Sequence, residues 1–399
     1  MKQFMHEILS FQNLNWRHWI LIFSAYLLFH IPVVLKSDYN SNLAIMQAEA
    51  FLKGNLNIDS YFWDASVFEG KYFVCFPPFP AVLVTPLVAM FGNAVNTIFL
   101  SLVISCLSMY LLYQLLIKLI GDSTDKLWVF LGFFFGSGYW WVVLTSDHIN
   151  GFAHVVCICL LLMLLLELHG KKRALIVGVL LALAFLTRQM TVFYGILILY
   201  FFYVDEPNKK IAIRNIAVAF MTAFVCVIPY FVLNHLRFHN PFDTGYQYLI
   251  YAAPIQERIN EYGLFSTKYF LYNFYHLLVK GHNLLFAGSM NLQVAGIDQY
   301  GTSILAASPF IIFAFKAQQE TKFKIAFWST IVLILSSILL YHNNGWMQVN
   351  TQRFSLDFFP ALLILIALSY PVVPKWLFKS FVIYSIALNL LSFTIHSLR

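Results

Sequence analysis

Apolar runs of about 18–25 residues, each long enough to cross roughly 30 Å of hydrocarbon, recur along this chain from Trp16 to His396. Hydrocarbon offers the backbone no hydrogen-bond partner, so such runs must close their own bonds as helices. None shows the alternation of a barrel strand. Composition agrees: 60% of the 399 residues are hydrophobic and 11% are charged, under half the charge of an ordinary globular chain. The expected fold is therefore all-α, a polytopic membrane helix bundle forming one domain over residues 1–399.

The net charge of +7 does not point to nucleic acid. Lys and Arg mostly flank the apolar runs, where they set orientation and meet anionic head groups. Of the five cysteines, Cys106, Cys157, Cys159 and Cys226 fall inside expected spans and Cys75 in a loop, so there is no disulfide framework. Cys157 and Cys159 are two apart on a helix and point to different faces, which excludes a metal pair. The run Trp19–Leu35 has no small-residue cleavage site after it and reads as a retained span, not a signal peptide.

Two segments decide the topology. Pro77–Phe91 contains Pro77, Pro78, Pro80 and Pro86, too short and too broken for a crossing helix. Ala174–Val204, about 47 Å as one helix, is interrupted by Thr187-Arg188-Gln189 and reads as a pair of short helices turning near Arg188. With these choices Arg17, Lys118, Lys126, Lys171-Lys172-Arg173, Lys209, Lys210, Arg214, Lys316–Lys324, Lys375 and Lys379 all face the cytoplasm, as the positive-inside rule requires. The chain then crosses about eleven times, at roughly 17–35, 94–117, 127–144, 149–168, 174–187, 190–204, 211–232, 301–316, 325–341, 355–370 and 376–395.

The outer side carries two long loops, 36–93 and 233–300. Ser41–Lys53 places Leu43, Met46 and Ala50 on one helical face and ends before Gly54; Ser266–Lys280 repeats the design and ends before Gly281. Both suit interfacial helices, and Pro77–Phe91 adds a third such element. A platform at the lipid boundary is where an enzyme acting on a lipid-carried substrate needs its active site.

Asp38 lies two residues past the basic end of the first span. It reads either as a general base that deprotonates an acceptor hydroxyl or as a cap for the helix that follows. Asp147 and His148 form the outer turn between spans three and four, as solvated turn residues or as a second site carboxylate with a neighbouring ligand. Arg188, alone in its apolar surroundings, lies below the surface. It must pair with a carboxylate such as Asp38 or Asp147, or with a phosphate. Arg353, Lys71, Lys280 and His282 are the other outer cations that could steady a lipid-phosphate leaving group, each otherwise a surface charge. Glu69 with His282 could ligate a divalent metal, but no ligand spacing supports one, and no cofactor is implied. Tyr39, Tyr61, Trp63, Tyr72, Tyr246 and Trp346 read as sugar-stacking rings or interfacial anchors.

Taken in order, the Asp past the first span, the helix ending in Gly, G-K-Y-F-V-C-F-P-P-F-P-A-V-L-V-T-P-L-V-A-M-F-G, L-A-F-L-T-R-Q at 183–189, L-R-F-H-N-P-F-D-T-G-Y at 236–246 and Q-R-F-S-L-D-F-F-P at 352–360 resemble the GT-C membrane glycosyltransferases. The nearest group is similar to the bacterial relatives of protein O-mannosyltransferases and lipid A aminoarabinose transferases. That resemblance implies inverting transfer of a sugar from a polyprenyl-phosphate donor, at the outer face of a bacterial plasma membrane. Asp38 would be the base and Arg353 a ligand of the lipid phosphate, with Lys71, Arg188, His148, His282, Lys280 and Tyr39 as further substrate contacts. The sequence departs from the family pattern at Cys75-Phe76, where an acid-Lys pair often stands, and at Tyr39, where a second acid often follows; Asp147 would supply that charge. Without a soluble domain after the last span, the acceptor would be met by the two outer loops. A lipid-linked glycan or polymer end suits them, as could a protein hydroxyl.

A transporter or flippase should show paired repeats and midplane ionisable groups, and neither is visible here. An outer-face glycan polymerase or ligase would place its key residues in a late loop, whereas here the informative loop is the first. A cysteine placed at position 85 should be labelled from outside; cytoplasmic labelling would overturn the eleven-span count.

Overall fold

A computed structural model describes residues 16–36, 42–121, 126–204, 206–343, 345 and 348–397. Most of them are helical. Helices Thr97–Ile120, Ile149–Leu168, Lys209–Phe238, Thr321–Leu339 and Lys375–His396 are each long and apolar enough to cross a membrane. Apolar helices too short to qualify by that measure include Ile22–Leu35, Ala174–Phe185, Gln189–Tyr203 and Phe359–Val372.

In chain order we label α1 (Trp16–Lys36), α2 (Leu43–Leu52), β1 (Ser66–Phe68), β2 (Lys71–Phe73), α3 (Phe79–Phe91), α4 (Thr97–Ile120), α5 (Lys126–Phe134), α6 (Tyr139–Leu144), α7 (Ile149–Leu168), α8 (Ala174–Phe185), α9 (Gly195–Tyr203) and α10 (Lys209–Phe238). The chain continues through α11 (Ala253–Tyr262), β3 (Leu284–Ala287), β4 (Gln293–Ile297), β5 (Tyr300–Thr302), α12 (Thr321–Leu339), β6 (Gln348–Thr351), α13 (Phe359–Ser369) and α14 (Lys375–Ser397). The core is built around α7. It is apolar on every side, and 83% of its spanning window is buried, against 22% for α10. A helix apolar all round belongs inside a bundle; α10 instead presents Ile213, Met221, Phe224, Val225 and Val232 outward.

The break expected at Arg188 is present. Thr187 Oγ1 bonds back to Leu183 O at 2.8 Å and Arg188 is extended (φ −146°). A 3-10 turn, Gln189–Tyr194, then restarts the chain. Gly178 lies against Ala219 and Thr222, Phe185 against Tyr230, and Gly195 against Phe220. So α8 runs alongside α10 in the same direction, and α9 returns against it. The apex meets Tyr230, which Gln189 Nε2 bonds at 2.9 Å. That is eight residues, or about 12 Å, short of the end of α10 at Phe238.

Other expected spans are less regular than the sequence suggested. The 127–144 run breaks at Gly136-Ser137-Gly138 into α5 and α6, and the break exposes three carbonyls. Asn389 of α14 donates to Phe135 O (2.8 Å) and Ser137 O (3.1 Å), and Ser308 Oγ donates to Gly136 O (2.6 Å). The 301–316 run begins as β5, continues as a single α turn at Ile304–Ala307 and ends in the 3-10 helix Pro309–Lys316.

The long loops hold short strands that hydropathy does not reveal. β1 and β2 form a hairpin whose two loop residues, Glu69 (φ 49°) and Gly70 (φ 71°), both have positive φ, the backbone that matches the strand twist of a two-residue turn. β5 pairs in parallel with β6, tying the end of the second loop to the segment before Arg353. α2, expected on the membrane surface, is instead packed into protein: Leu43, Ala44, Ile45, Gln47, Ala48 and Ala50 are all buried, beside α3. The Ser266–Lys280 helix is a composite of a 3-10 turn, an α turn and a π turn. Asn273 Nδ2 fixes it to the end of α12 through Tyr341 O at 2.7 Å.

Replacing Asn389 with Leu should lower the unfolding temperature in detergent. Each buried carbonyl left unpaired costs about 1–3 kcal/mol. Melting alongside the parent protein would show that Phe135 and Ser137 find other partners.

Candidate active site

Three elements converge on one buried ion pair. Arg188, at the apex of the α8–α9 break, donates Nε to Asp357 Oδ1 at 2.9 Å and Nη2 to Asp357 Oδ2 at 2.7 Å. The Asp357 side chain is 2% exposed and that of Arg188 19%. Asp357 ends a 3-10 turn, Arg353–Asp357, just ahead of α13. His154, inside α7, places Nδ1 3.5 Å from Asp357 Oδ1. The sequence reading that Arg188 pairs with a carboxylate holds, but the partner is Asp357, not Asp147. The bidentate fork leaves Nη1 of Arg188 outside the pair and is the geometry in which Arg and carboxylate match best.

Arg353 stands at the other end of the same turn. Its guanidinium lies 5.4 Å from the Phe354 ring centroid and that of Arg188 5.6 Å from the same ring. Gln348 of β6 accepts the Arg353 N–H at 2.9 Å, and Gln352 Nε2 bonds Tyr300 O in β5. Loss of solvent, together with the neighbouring Arg188 charge, pushes Arg353 down to about 10 against the pull of Asp64 and Asp357. It remains a cation at neutral pH. Two guanidiniums against one buried carboxylate leave a positive centre, which suits an anion.

The first long loop closes around this centre. Phe79 N, at the start of α3, bonds Leu186 O at 2.9 Å, two residues before Arg188. Asn42 Nδ2 bonds Thr97 Oγ1 (3.1 Å) and Ser146 O (3.0 Å), bringing the start of α2 to the Asp147 turn. Asp64, in left-handed backbone (φ 66°), accepts from Asn150 Nδ2 at 3.3 Å and contributes negative field at Arg353. Tyr246 and Tyr341 lie within the field of Arg188. The buried Arg237 at the end of α10 donates Nη1 to Val74 O at 3.0 Å and anchors the loop from below.

Asp38 and Tyr39 lie outside the described residues, as does Trp346. Asp147 is half-buried and accepts the His148 N–H at 3.1 Å, while His148 is exposed. Lys71 is exposed at the start of β2, beside the Glu69–Gly70 turn, and no contact among the described residues joins it to Arg188 or Arg353. Lys280 bonds Asp298 Oδ2 at 2.6 Å, and His282 Nδ1 lies 3.1 Å from Thr302 Oγ1. Glu69 pairs with His239 at 3.3 Å, so Glu69 and His282 have different partners. Cys75 is buried, and burial pushes its thiol up to about 12.

Four residues of this site, Asp64, His154, Asp357 and Arg237, were not singled out from the sequence. Asp357 had a signal, since it lies four residues after Arg353 in one polar turn. Arg237 lies inside the 236–246 motif, whereas Asp64 had no signal beyond loop position.

No family model matches the sequence, and no curated protein matches it. Two solved structures do. One is ArnT from Cupriavidus metallidurans bound to undecaprenyl phosphate: TM-score 0.55, 14% identity, with 92% of this chain and 62% of that chain covered. The other is ArnT from Cupriavidus metallidurans in the apo state: TM-score 0.54, 15% identity, 91% and 62%. ArnT is a lipid A aminoarabinose transferase and a GT-C enzyme. The chain shares the fold of that polytopic membrane protein and spans about three-fifths of its length.

Truncating Asp357 to Ala should cost about 3–5 kcal/mol, because it strands a buried guanidinium. A double variant, Arg188→Met with Asp357→Leu, should recover much of that stability. Thermal melting of Arg188→Met, of Asp357→Leu and of the double variant measures the coupling, and additive losses would contradict it.

Proposed function

We propose that this protein is a membrane glycosyltransferase that takes a sugar from a polyprenyl-phosphate donor and passes it to a hydroxyl acceptor. The observation that carries the reading is the pair of guanidiniums, Arg188 and Arg353, flanking Phe354 at the head of α13. The fold matches that of a protein crystallised with undecaprenyl phosphate.

In this reading Arg353 holds the donor phosphate. Arg188, steered by Asp357, presents its remaining N–H groups to the same anion. Negative charge grows on the phosphate oxygen as the glycosidic bond lengthens, and preorganised cations favour that state over the ground state. Asp38 acts as the general base, taking the proton of the acceptor hydroxyl as its oxygen attacks the anomeric carbon from the face opposite the phosphate, with inversion. The Asn42 bonds to Thr97 and Ser146 support this assignment, because they hold the chain four residues beyond Asp38 beside the Asp147 turn. Asp147 and Asp64 are the carboxylates available to orient the acceptor. Lys71 is a further candidate for the donor phosphate, and His148, His282 and Lys280 are candidates for other substrate contacts. We further propose eleven spans, with the site on the non-cytoplasmic face.

Asp38→Asn should abolish turnover of labelled polyprenyl-phosphate sugar while leaving lipid binding intact. Arg353→Ala should weaken donor binding and slow transfer together. Parent-like turnover by Asp38→Asn would remove the base assignment, and parent-like donor affinity in Arg353→Ala would remove the phosphate assignment.

A further inference from the structure

The second long loop contains two unlike parts. α11 carries Glu257, Arg258 and Glu261 and buries none of its residues, as a helix facing water does. The β3–β4 hairpin, Leu284–Ile297, has no charged residue at all. Its large apolar side chains point out of the protein: Leu285, Phe286 and Val294 are exposed, and Met290 (77%) and Leu292 (75%) at the tip most of all. A contiguous apolar surface of this kind marks a contact and not a solvated face.

The base of the hairpin fixes its level. Ile297 is buried with Trp141, and Leu284, Phe393 and Ile395 pack against them. Phe393 and Ile395 belong to the last turns of α14, a helix long and apolar enough to span. The hairpin therefore springs from the end of a spanning helix, at the depth where hydrocarbon gives way to head groups. α14 also exposes Ile383, Tyr384 and Leu391, and from Ser380 to Ser397 it carries no Lys, Arg, Asp or Glu. Phe270, Leu271, Tyr275 and Val279 of the composite helix add exposed apolar surface in the same loop.

We infer that the β3–β4 hairpin is a lipid-contacting tongue lying on the bilayer, with Met290 and Leu292 among the upper acyl chains. Its depth is bounded by hydrogen bonding. A two-stranded hairpin has unpaired backbone edges, which hydrocarbon cannot satisfy but head groups and water can. Only the tip side chains enter the acyl region, as in an interfacial helix. The inference rests on the membrane fold and not on the transfer chemistry.

The test uses the full chain with its five cysteines replaced, carrying Met290→Cys or, separately, Leu292→Cys. Each is labelled with an environment-sensitive fluorophore and reconstituted in phosphatidylcholine–phosphatidylglycerol vesicles. Glu261→Cys in α11 is the aqueous control. Positions 290 and 292 should be quenched several-fold more than 261 by lipids bearing a nitroxide near the ester end of the acyl chain, and less by a nitroxide near the methyl end. Aqueous iodide should show the reverse order. Iodide access equal to that at 261 would overturn the inference. So would shielding from both quenchers, which would mean that a protein surface covers the tip.

Discussion

A bilayer interior offers a polypeptide no hydrogen-bond partner but itself, so every interruption of a helix inside it must be repaired by another part of the same chain. The breaks in this bundle show how strictly that holds. Where α5 gives way to α6, the freed carbonyls of Phe135, Gly136 and Ser137 are met by Asn389 and Ser308, from two distant segments. Where α8 gives way to α9, Thr187 and Thr191 hydroxyls close the local bonds and Gln189 reaches across to Tyr230. The irregular positions are held as firmly as the regular ones, and they lie where polar side chains must be delivered below the surface.

The ion pair of Arg188 and Asp357 uses one of these repaired breaks. Burying such a pair is weak evidence of net stability, since the desolvation of both charges offsets most of their attraction. Its value here is geometric. It joins the α8–α9 apex to the head of α13, and through the turn Arg353–Asp357 it brings a second guanidinium beside the first. The two like charges repel. The arrangement persists because Asp357, four residues after Arg353, holds Arg188 in a bidentate pair and Gln348 of β6 grips the Arg353 backbone.

Much of this was legible in the sequence, for reasons that differ by residue. The break at Arg188 could be read because a lone charge in a long apolar run leaves few alternatives. Its partner could not, since nothing local links positions 169 residues apart. The resemblance carried by the motif order pointed to the fold that the solved structures match. The break at Gly136–Gly138 was hidden because glycine and serine barely lower hydropathy and the rescuing Asn389 lies far along the chain. The short strands escaped notice because segments of three to five residues carry too little periodicity. The sequence of α2 reads as a surface helix because an apolar stripe does not say whether lipid or protein covers it. Charge alone does not give a lysine's neighbours: Lys71 is exposed and Lys280 bonds Asp298.

The order of synthesis gives the Arg188–Asp357 pair a further consequence. Arg188 emerges from the ribosome 169 residues before its carboxylate. At about 5–20 residues per second the growing chain carries that arginine unmatched for roughly 10–30 s. During this interval the bidentate Arg188–Asp357 pair cannot form, and a guanidinium in apolar surroundings without a counter-ion is costly. Completion of the positive centre is thus among the last events in the biogenesis of the protein.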